Sequence, residues 1–156
     1  IGKATLEVRR AINSLMDEPP SARDLCARLR DAVDKFASEH DLKVAWQTDE
    51  ESAPECSPQI AEQVLNVARE ALNNIARHAG ARQVSVRMSR SEGQYFVSIE
   101  DDGRGFDSSQ AAPQGHFGLQ IMQARAAHIG GRVEVESTNG RGTRLTLAWP
   151  EMEGNQ

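Results

Sequence analysis

The chain has 156 residues, the length of one ordinary domain, of which 38% are hydrophobic and 26% charged, and its net charge is −5. These values exclude a collagen, a coiled-coil rod, a disordered tail and a disulfide scaffold, and the acidic balance argues against general binding of nucleic acid. The two cysteines favour a reducing compartment, and no apolar run approaches the ~20 residues that cross a bilayer.

The first third of the chain predicts two helices and a strand. Residues 1–17 carry a helical pattern, a second helix is predicted from an N-cap at Ser21 to about residue 38, and residues 43–48 alternate as a strand. Because the sequence begins at Ile1, inside a helical pattern, we expect it to be a piece of a longer protein.

The remainder centres on one long helix and a glycine-rich loop. Residues 58–79 carry the longest apolar stripe, between an N-cap at Ser57 and a stop at Gly80. Residues 102–116 have no periodicity, and long loops of this kind in compact domains are usually functional. A further helix is predicted at 117–128, and strands are predicted at 83–89, 95–101, 132–137 and 143–149. This element order predicts an α+β fold, a two-layer sandwich in which a mixed sheet of about five strands carries its helices on one face.

The long helix places polar side chains in one row. Glu70, Asn74 and His78 follow one another at intervals of four residues, along the edge of the apolar stripe, and Arg77 also lies off that stripe. A carboxylate beside an amide oxygen can hold Mg²⁺ with few protein ligands when phosphates complete the shell. The alternative is that these residues are only the polar flank of an amphipathic helix.

Three glycine motifs follow the helix. Asp101 ends a strand, and Gly103 and Gly105 come next, so a carboxylate that can accept a hydrogen bond from an exocyclic amine precedes a sharply turning backbone. Residues 115–119 (Gly-His-Phe-Gly-Leu) open a helix, where unpaired N–H groups favour phosphate, and residues 140–143 (Gly-Arg-Gly-Thr) join two strands. Each motif alone is also compatible with an ordinary turn or helix start.

Taken together and in this order, the motifs resemble the ATP-binding domains of histidine kinases. Residues 69–79 (Arg-Glu-Ala-Leu-Asn-Asn-Ile-Ala-Arg-His-Ala) look like the N box, 101–106 like the G1 box, 115–119 like the G2 box and 140–143 like the last glycine motif. The likeness runs from about residue 20 to residue 150 and is greatest to nitrate/nitrite sensor kinases of the NarX, NarQ and DesK type. It implies the Bergerat fold, with ATP and Mg²⁺ as cofactors.

The resemblance implies catalytic and metal-binding roles for two residues of the long helix. Asn74 would coordinate the Mg²⁺ that bridges the phosphates, and Glu70 would orient a metal-bound water or assist proton transfer. Arg77 or His78 would contact phosphate oxygens.

The resemblance also implies the remaining contacts of the nucleotide. Asp101 would bind the adenine amino group, Gly103 and Gly105 would make room for the purine, and Thr143 would support adenine through a water. Residues 106–117 would form the ATP lid. Gly115 and Gly118 would hold phosphates, and Phe117 and Leu119 would add further nucleotide contacts.

The same resemblance sets the expected domains and partners. Residues 1–17 would be the end of a dimerisation helix, 18–150 the catalytic domain and 151–156 a polar tail. The phospho-accepting histidine would lie on an upstream helical domain of a homodimer, since His40 reads as a helix C-cap, and this chain alone would not phosphorylate itself. The phosphoryl group would pass to a response regulator with a helix-turn-helix output, and the chain itself would not bind nucleic acid. The expected location is the cytoplasmic part of an inner-membrane sensor.

Three other functions remain open at this point. The first is a non-kinase ATPase of the same fold, such as a gyrase-, MutL- or Hsp90-like enzyme. The second is a regulatory nucleotide-binding module, such as an anti-sigma-like serine kinase switch, and the third is a structural module without nucleotide. An upstream helical hairpin that carries a histidine would favour the kinase.

Overall fold

The computed structural model describes residues 22–48, 56–105 and 117–151. Several predicted features lie outside the described residues: the helix at 1–17, the lid from 106 to 116 with Gly115, and the tail after Glu151. No helix among the described residues has the length and apolar character needed to cross a membrane.

The described helices and strands follow the predicted order. They are α1 (Ala22–Glu39), β1 (Lys43–Thr48), α2 (Pro58–Asn74), a π-helical turn (Ile75–Ala79), β2 (Gln83–Ser91), β3 (Gln94–Asp101), α3 (Phe117–His128), β4 (Arg132–Ser137) and β5 (Thr143–Pro150).

The five strands form one mixed sheet in the order β1-β2-β3-β5-β4. β1 pairs with β2 in parallel, so the connection between them must cross over the sheet, and α2 lies in that connection. The other neighbours are antiparallel. The predicted mixed sheet of about five strands is thereby confirmed.

The core lies between the sheet and the helices. Alternate residues of β2, such as Val84 and Met88, are buried, whereas Arg87 between them is exposed on the opposite face. The buried strand residues pack against apolar residues of α1 and α2, among them Leu29 and Leu72. The helices therefore cover one face of the sheet, as the predicted α+β sandwich requires.

The two ends of α2 differ in how closely they follow the prediction. At the start, the Ser57 hydroxyl accepts a hydrogen bond from the backbone N–H of Ile60 at 3.2 Å, which confirms the predicted N-cap. At the end, the α-helix stops at Asn74, and residues 75–79 form a π-helical turn before Gly80, whose φ is 59°. The spacing that predicts one row therefore holds for Glu70 and Asn74 but not for the residues of the turn.

The C-terminal end of α1 carries His40. Its Nδ1 lies 2.9 Å from the backbone oxygen of Phe36, and its ring stacks on the Phe36 ring at 4.0 Å. The interpretation of His40 as a helix C-cap is confirmed.

Both cysteines are free and half-buried, and burial raises the pKa of the Cys56 thiol to about 11.

Candidate functional site

The first group of predicted site residues meets where α3 begins beside the end of α2. A methyl group at Gly118 would collide with Oε1 of Glu70 and would lie 3.5 Å from Nδ2 of Asn74. Glu70, Asn74 and Gly118 are all partly exposed, and Leu119, the next residue, packs against the core. The structure therefore brings a carboxylate, an amide and a glycine backbone together.

The chemistry of this group fits Mg²⁺. Glu70 and Asn74 offer one carboxylate and one amide oxygen, both partly exposed, on neighbouring turns of α2. The described part of the chain contains no cluster of three or more His, Cys, Asp or Glu side chains that could hold a metal by itself. A cation here would take most of its ligands from water and phosphate, which is the coordination that Mg²⁺ prefers.

The second group forms at the end of β3 and centres on Asp101. Its side chain is buried, with 4% of its surface exposed, and its Oδ1 accepts a hydrogen bond from the backbone N–H of Gly103 at 2.8 Å. Burial raises the pKa of this carboxyl, and the N–H groups of Gly103 and Thr143 partly oppose that shift. A buried carboxylate of this kind has oxygen lone pairs for one more donor.

The glycine motif that follows Asp101, residues 103–105, packs against the glycine motif at residues 140–142. A methyl group at Gly142 would collide with the backbone oxygen of Asp101, and one at Gly105 would lie 2.7 Å from the backbone oxygen of Gly142. The N–H of Gly140 donates to the backbone oxygen of Arg104 at 2.6 Å. Glycine is required here because the two turns touch through their backbones, so residues 101–105 and 138–142 behave as one unit.

Thr143 lies directly beside Asp101. The two residues are opposite each other in the register of β5 and β3. The Thr143 hydroxyl is 2.8 Å from the Ser137 hydroxyl of β4, which fixes its direction. The structure therefore joins Thr143 to the second group, together with the buried Gly103.

Three of the remaining predicted site residues lie on the π-helical turn and at the start of α3. Arg77 is exposed on the π-helical turn, and His78 belongs to the same turn. Phe117 begins α3, and Gly115 lies outside the described residues.

Sequence reasoning missed one residue that the structure singles out. Oδ1 of Asp102 accepts hydrogen bonds from the backbone N–H groups of Arg82 and Gln83, at 2.8 and 3.0 Å. These bonds lower the pKa of the Asp102 carboxyl, although the side chain is exposed. Strand alternation was the available signal, because consecutive residues at the end of β3 must point to opposite sides.

The chain matches a protein family and several known proteins over the region that contains these motifs. Residues 59–153 match the family described as histidine kinase-, DNA gyrase B- and HSP90-like ATPase. The chain is 28% identical over 149 residues to the sensor histidine kinase LiaS of Bacillus subtilis, with 96% of this chain and 40% of LiaS covered. It is 28% identical over 134 residues to the nitrate/nitrite sensor protein NarQ of Escherichia coli, with 85% and 23% covered.

Solved structures show the same similarity. The histidine kinase domain of the Erythrobacter litoralis EL346 blue-light activated histidine kinase superposes with a TM-score of 0.68 at 26% identity, over 81% of this chain and 60% of that one. The Acinetobacter baumannii histidine kinase AdeS shares the fold, with a TM-score of 0.67 at 13% identity, over 87% and 68%. This chain spans less than half the length of LiaS and of NarQ.

Proposed function

Because this chain belongs to the family of histidine kinase-, DNA gyrase B- and HSP90-like ATPases, we propose that it presents Mg-ATP for phosphoryl transfer to a histidine of a two-component sensor kinase. The observation that carries the proposal is the presence of two chemically different groups in one domain. One is the group of Glu70, Asn74 and Gly118, and the other is the buried carboxyl of Asp101. A nucleotide has the two matching ends, a charged triphosphate and an adenine with an exocyclic amine.

At the phosphate end, Asn74 and Glu70 would hold the metal, which when bound neutralises charge on the phosphates. The first N–H groups of α3 have no partner within the helix, and the absence of a Cβ at Gly118 lets the Glu70 carboxylate lie against this end of α3. Arg77 is exposed one turn further along and would add a positive charge for the phosphates. In this proposal His78, Gly115, Phe117 and Leu119 complete the phosphate and lid contacts.

At the adenine end, Asp101 would accept a hydrogen bond from the amino group of the base. Its Oδ1 is held by Gly103, so the carboxyl is already oriented before a ligand arrives. Gly103 and Gly105 would border the purine ring, with the Cβ side of Gly105 turned to the backbone of Gly142, and Thr143 would support the base through a water.

Phosphoryl transfer depends on positioning and charge neutralisation more than on covalent chemistry by the protein. We propose that residues 18–150 provide these, that residues 1–17 end the dimerisation helix of a homodimer, and that 151–156 form a tail. The nucleophile would be a histidine of the upstream helical domain, and a response regulator, one with a helix-turn-helix output, would receive the phosphoryl group. The proposal places this chain on the cytoplasmic side of an inner-membrane sensor.

Calorimetric titration of ATP, with and without Mg²⁺, tests the proposal. We expect binding between the micromolar and low millimolar range that requires Mg²⁺ and is lost in Asn74→Asp. Asn73→Asp is the matched control, because it makes the same chemical change on the adjacent, exposed position of α2. Equal affinities for these two variants would contradict the proposed metal site, and no binding by the parent chain would contradict the proposed function.

A further inference from the structure

Asp101, the last residue of β3, and Asp102, which follows it, perform different tasks. Asp101 points into the molecule, where 4% of its surface is exposed, whereas the side chain of Asp102 is exposed and turns back toward the start of β2. One carboxylate oxygen of Asp102 accepts two backbone N–H groups, those of Arg82 and Gln83. Such double acceptance by one charged oxygen is stronger than a neutral hydrogen bond and fixes direction as well as distance.

The dipeptide that Asp102 holds is the exit from the helix that carries Asn74. The π-helical turn ends at Ala79 and is capped by Gly80; Ala81 packs against the core, and Arg82 and Gln83 follow. The backbone oxygen of Arg82 accepts from the N–H of Lys43 at 2.9 Å, and that of Gln83 accepts from the N–H of Asp102 at 3.3 Å. The helix exit is therefore tied to β1 by its backbone and to the loop after β3 by the Asp102 side chain.

We propose that Asp102 is a positioning residue of the nucleotide site, which fixes the loop of Asp101 and Gly103 to the exit of the helix that carries Asn74. The inference rests on the proposed function, because it concerns a ligand that reaches both groups. Asp101 is on β3 and Asn74 is on α2, so one ligand can satisfy both only when the two elements keep a set separation. Residues that lock this separation raise affinity without touching the ligand.

A purely structural role for Asp102 is the competing explanation, and the sheet argues against it. β2 and β3 pair over eight consecutive residue pairs, from Val84 with Asp101 to Ser91 with Gln94. The Asp102 side chain bonds lie beyond the last of these pairs, and the side chain is exposed. Its loss should therefore change the orientation of the loop more than the integrity of the sheet.

Three variants separate the two explanations when the dissociation constant for Mg-ATP and the free energy of unfolding in urea are both measured. Asp102→Ala removes both hydrogen bonds, and we expect its affinity for Mg-ATP to fall about tenfold. Asp102→Asn keeps an acceptor oxygen and should retain affinity within about threefold of the parent. Ser57→Ala is the control, since it removes a side chain to backbone bond of the same kind, the cap of α2, far along the chain from the site; it should lower stability and leave the dissociation constant unchanged.

The outcomes also distinguish this inference from the proposed function. If Asp102→Ala binds Mg-ATP as tightly as Ser57→Ala while Asp101→Asn loses affinity, Asp102 has no positioning role and the ATP site stands. If the parent chain binds no Mg-ATP, the proposed function and the positioning role of Asp102 are both contradicted. Should Asp102→Ala fail to fold, Asp102→Asn decides: its amide resonances for residues 82 and 83 report the retained bonds, and a loss of affinity with those bonds intact overturns the inference.

Discussion

Gly118 leaves no space for a Cβ atom beside Glu70 and Asn74. A Cβ there would overlap Oε1 of Glu70 and approach Nδ2 of Asn74, so Gly118→Ala must push the carboxylate out of place. We expect a loss of Mg-ATP affinity of about tenfold or more, of the size that misplacing a binding group produces, measured by calorimetry.

Gly93→Ala provides the control for Gly118→Ala. A Cβ at Gly93 meets nothing within 4 Å, although its φ of 76° adds backbone strain. Gly93→Ala should therefore lower the free energy of unfolding and leave the affinity unchanged. Unchanged affinity in Gly118→Ala would show that Glu70 does not need its present position.

At neutral pH, the buried carboxylate of Asp101 should lower the free energy of unfolding. Burial raises its pKa, so the folded state favours the protonated form, and its contribution to stability is present below the ordinary aspartate value of about 3.9 and is lost as the pH rises through the raised pKa. Asp101→Asn should therefore be more stable than the parent at pH 7, and this advantage should vanish near pH 3 in urea titrations. The same variant should bind ATP more weakly. Equal stability of the two proteins at both pH values would contradict the assignment.

Asp102 should behave in the opposite sense. Hydrogen bonds from Gln83 and Arg82 lower its pKa, so its contribution is present above the ordinary value of about 3.9 and is lost as the pH falls through the lowered pKa. The difference in unfolding free energy between the parent and Asp102→Ala should therefore shrink below about pH 4. Because the side chain is exposed, solvent screening keeps this difference small, about 1 kcal/mol or less. If the difference in unfolding free energy grew at low pH, the role given to the Asp102 hydrogen bonds would be contradicted.

At the scale of elements, the periodicity of the sequence predicted those helices and strands that depend on residues close together in the chain. The cap at Ser57, the alternation of the strands and the stripe predicted on 58–79 all depend on local spacing. The structure has the cap, the strands and the α-helix as far as Asn74. The π-helical turn after Asn74 was not predicted, because an α-turn and a π-turn differ in which carbonyl an N–H meets and share the same residue preferences. The packing of residues 138–142 on 101–105 was not predicted either, since it joins parts of the chain that no local pattern relates.

Two glycines of the turn between β4 and β5 test that packing directly. Gly140 and Gly142 have φ of 82° and 79°, so alanine at either position adds a similar backbone strain of about 1–2 kcal/mol. A Cβ at Gly140 meets nothing within 4 Å, whereas one at Gly142 collides with the backbone oxygen of Asp101. Gly142→Ala should therefore destabilise the protein more than Gly140→Ala, and it alone should weaken Mg-ATP binding. Equal effects of the two variants would show that the turns do not act as one unit.

At the scale of the whole molecule, the proposed nucleotide site would join the two layers of the sandwich. The helix layer supplies Glu70 and Asn74, and the sheet layer supplies Asp101 and Thr143. A ligand that contacts both layers stabilises the folded state in proportion to the logarithm of its concentration, by about 2.7 kcal/mol at one hundred times its dissociation constant. The motif order indicated both halves of this site from the sequence, because each half is a local motif, whereas the tie through Asp102 became evident only in three dimensions.

In the proposed function, the histidine that accepts the phosphoryl group is not one of the histidines of this chain. Incubated with radiolabelled ATP and Mg²⁺, the chain alone should accumulate no stoichiometric acid-labile phosphate, because transfer requires a nucleophile in line with the γ-phosphate. His40 is held against the end of α1 by the Phe36 backbone oxygen and ring, and His128 lies at the last residue of α3. His40→Gln is the control, since it should leave both ATP binding and the background label unchanged. Stoichiometric acid-labile phosphate on the parent chain, lost in His40→Gln, would move the acceptor into this domain and overturn the assignment of that histidine as a helix cap alone.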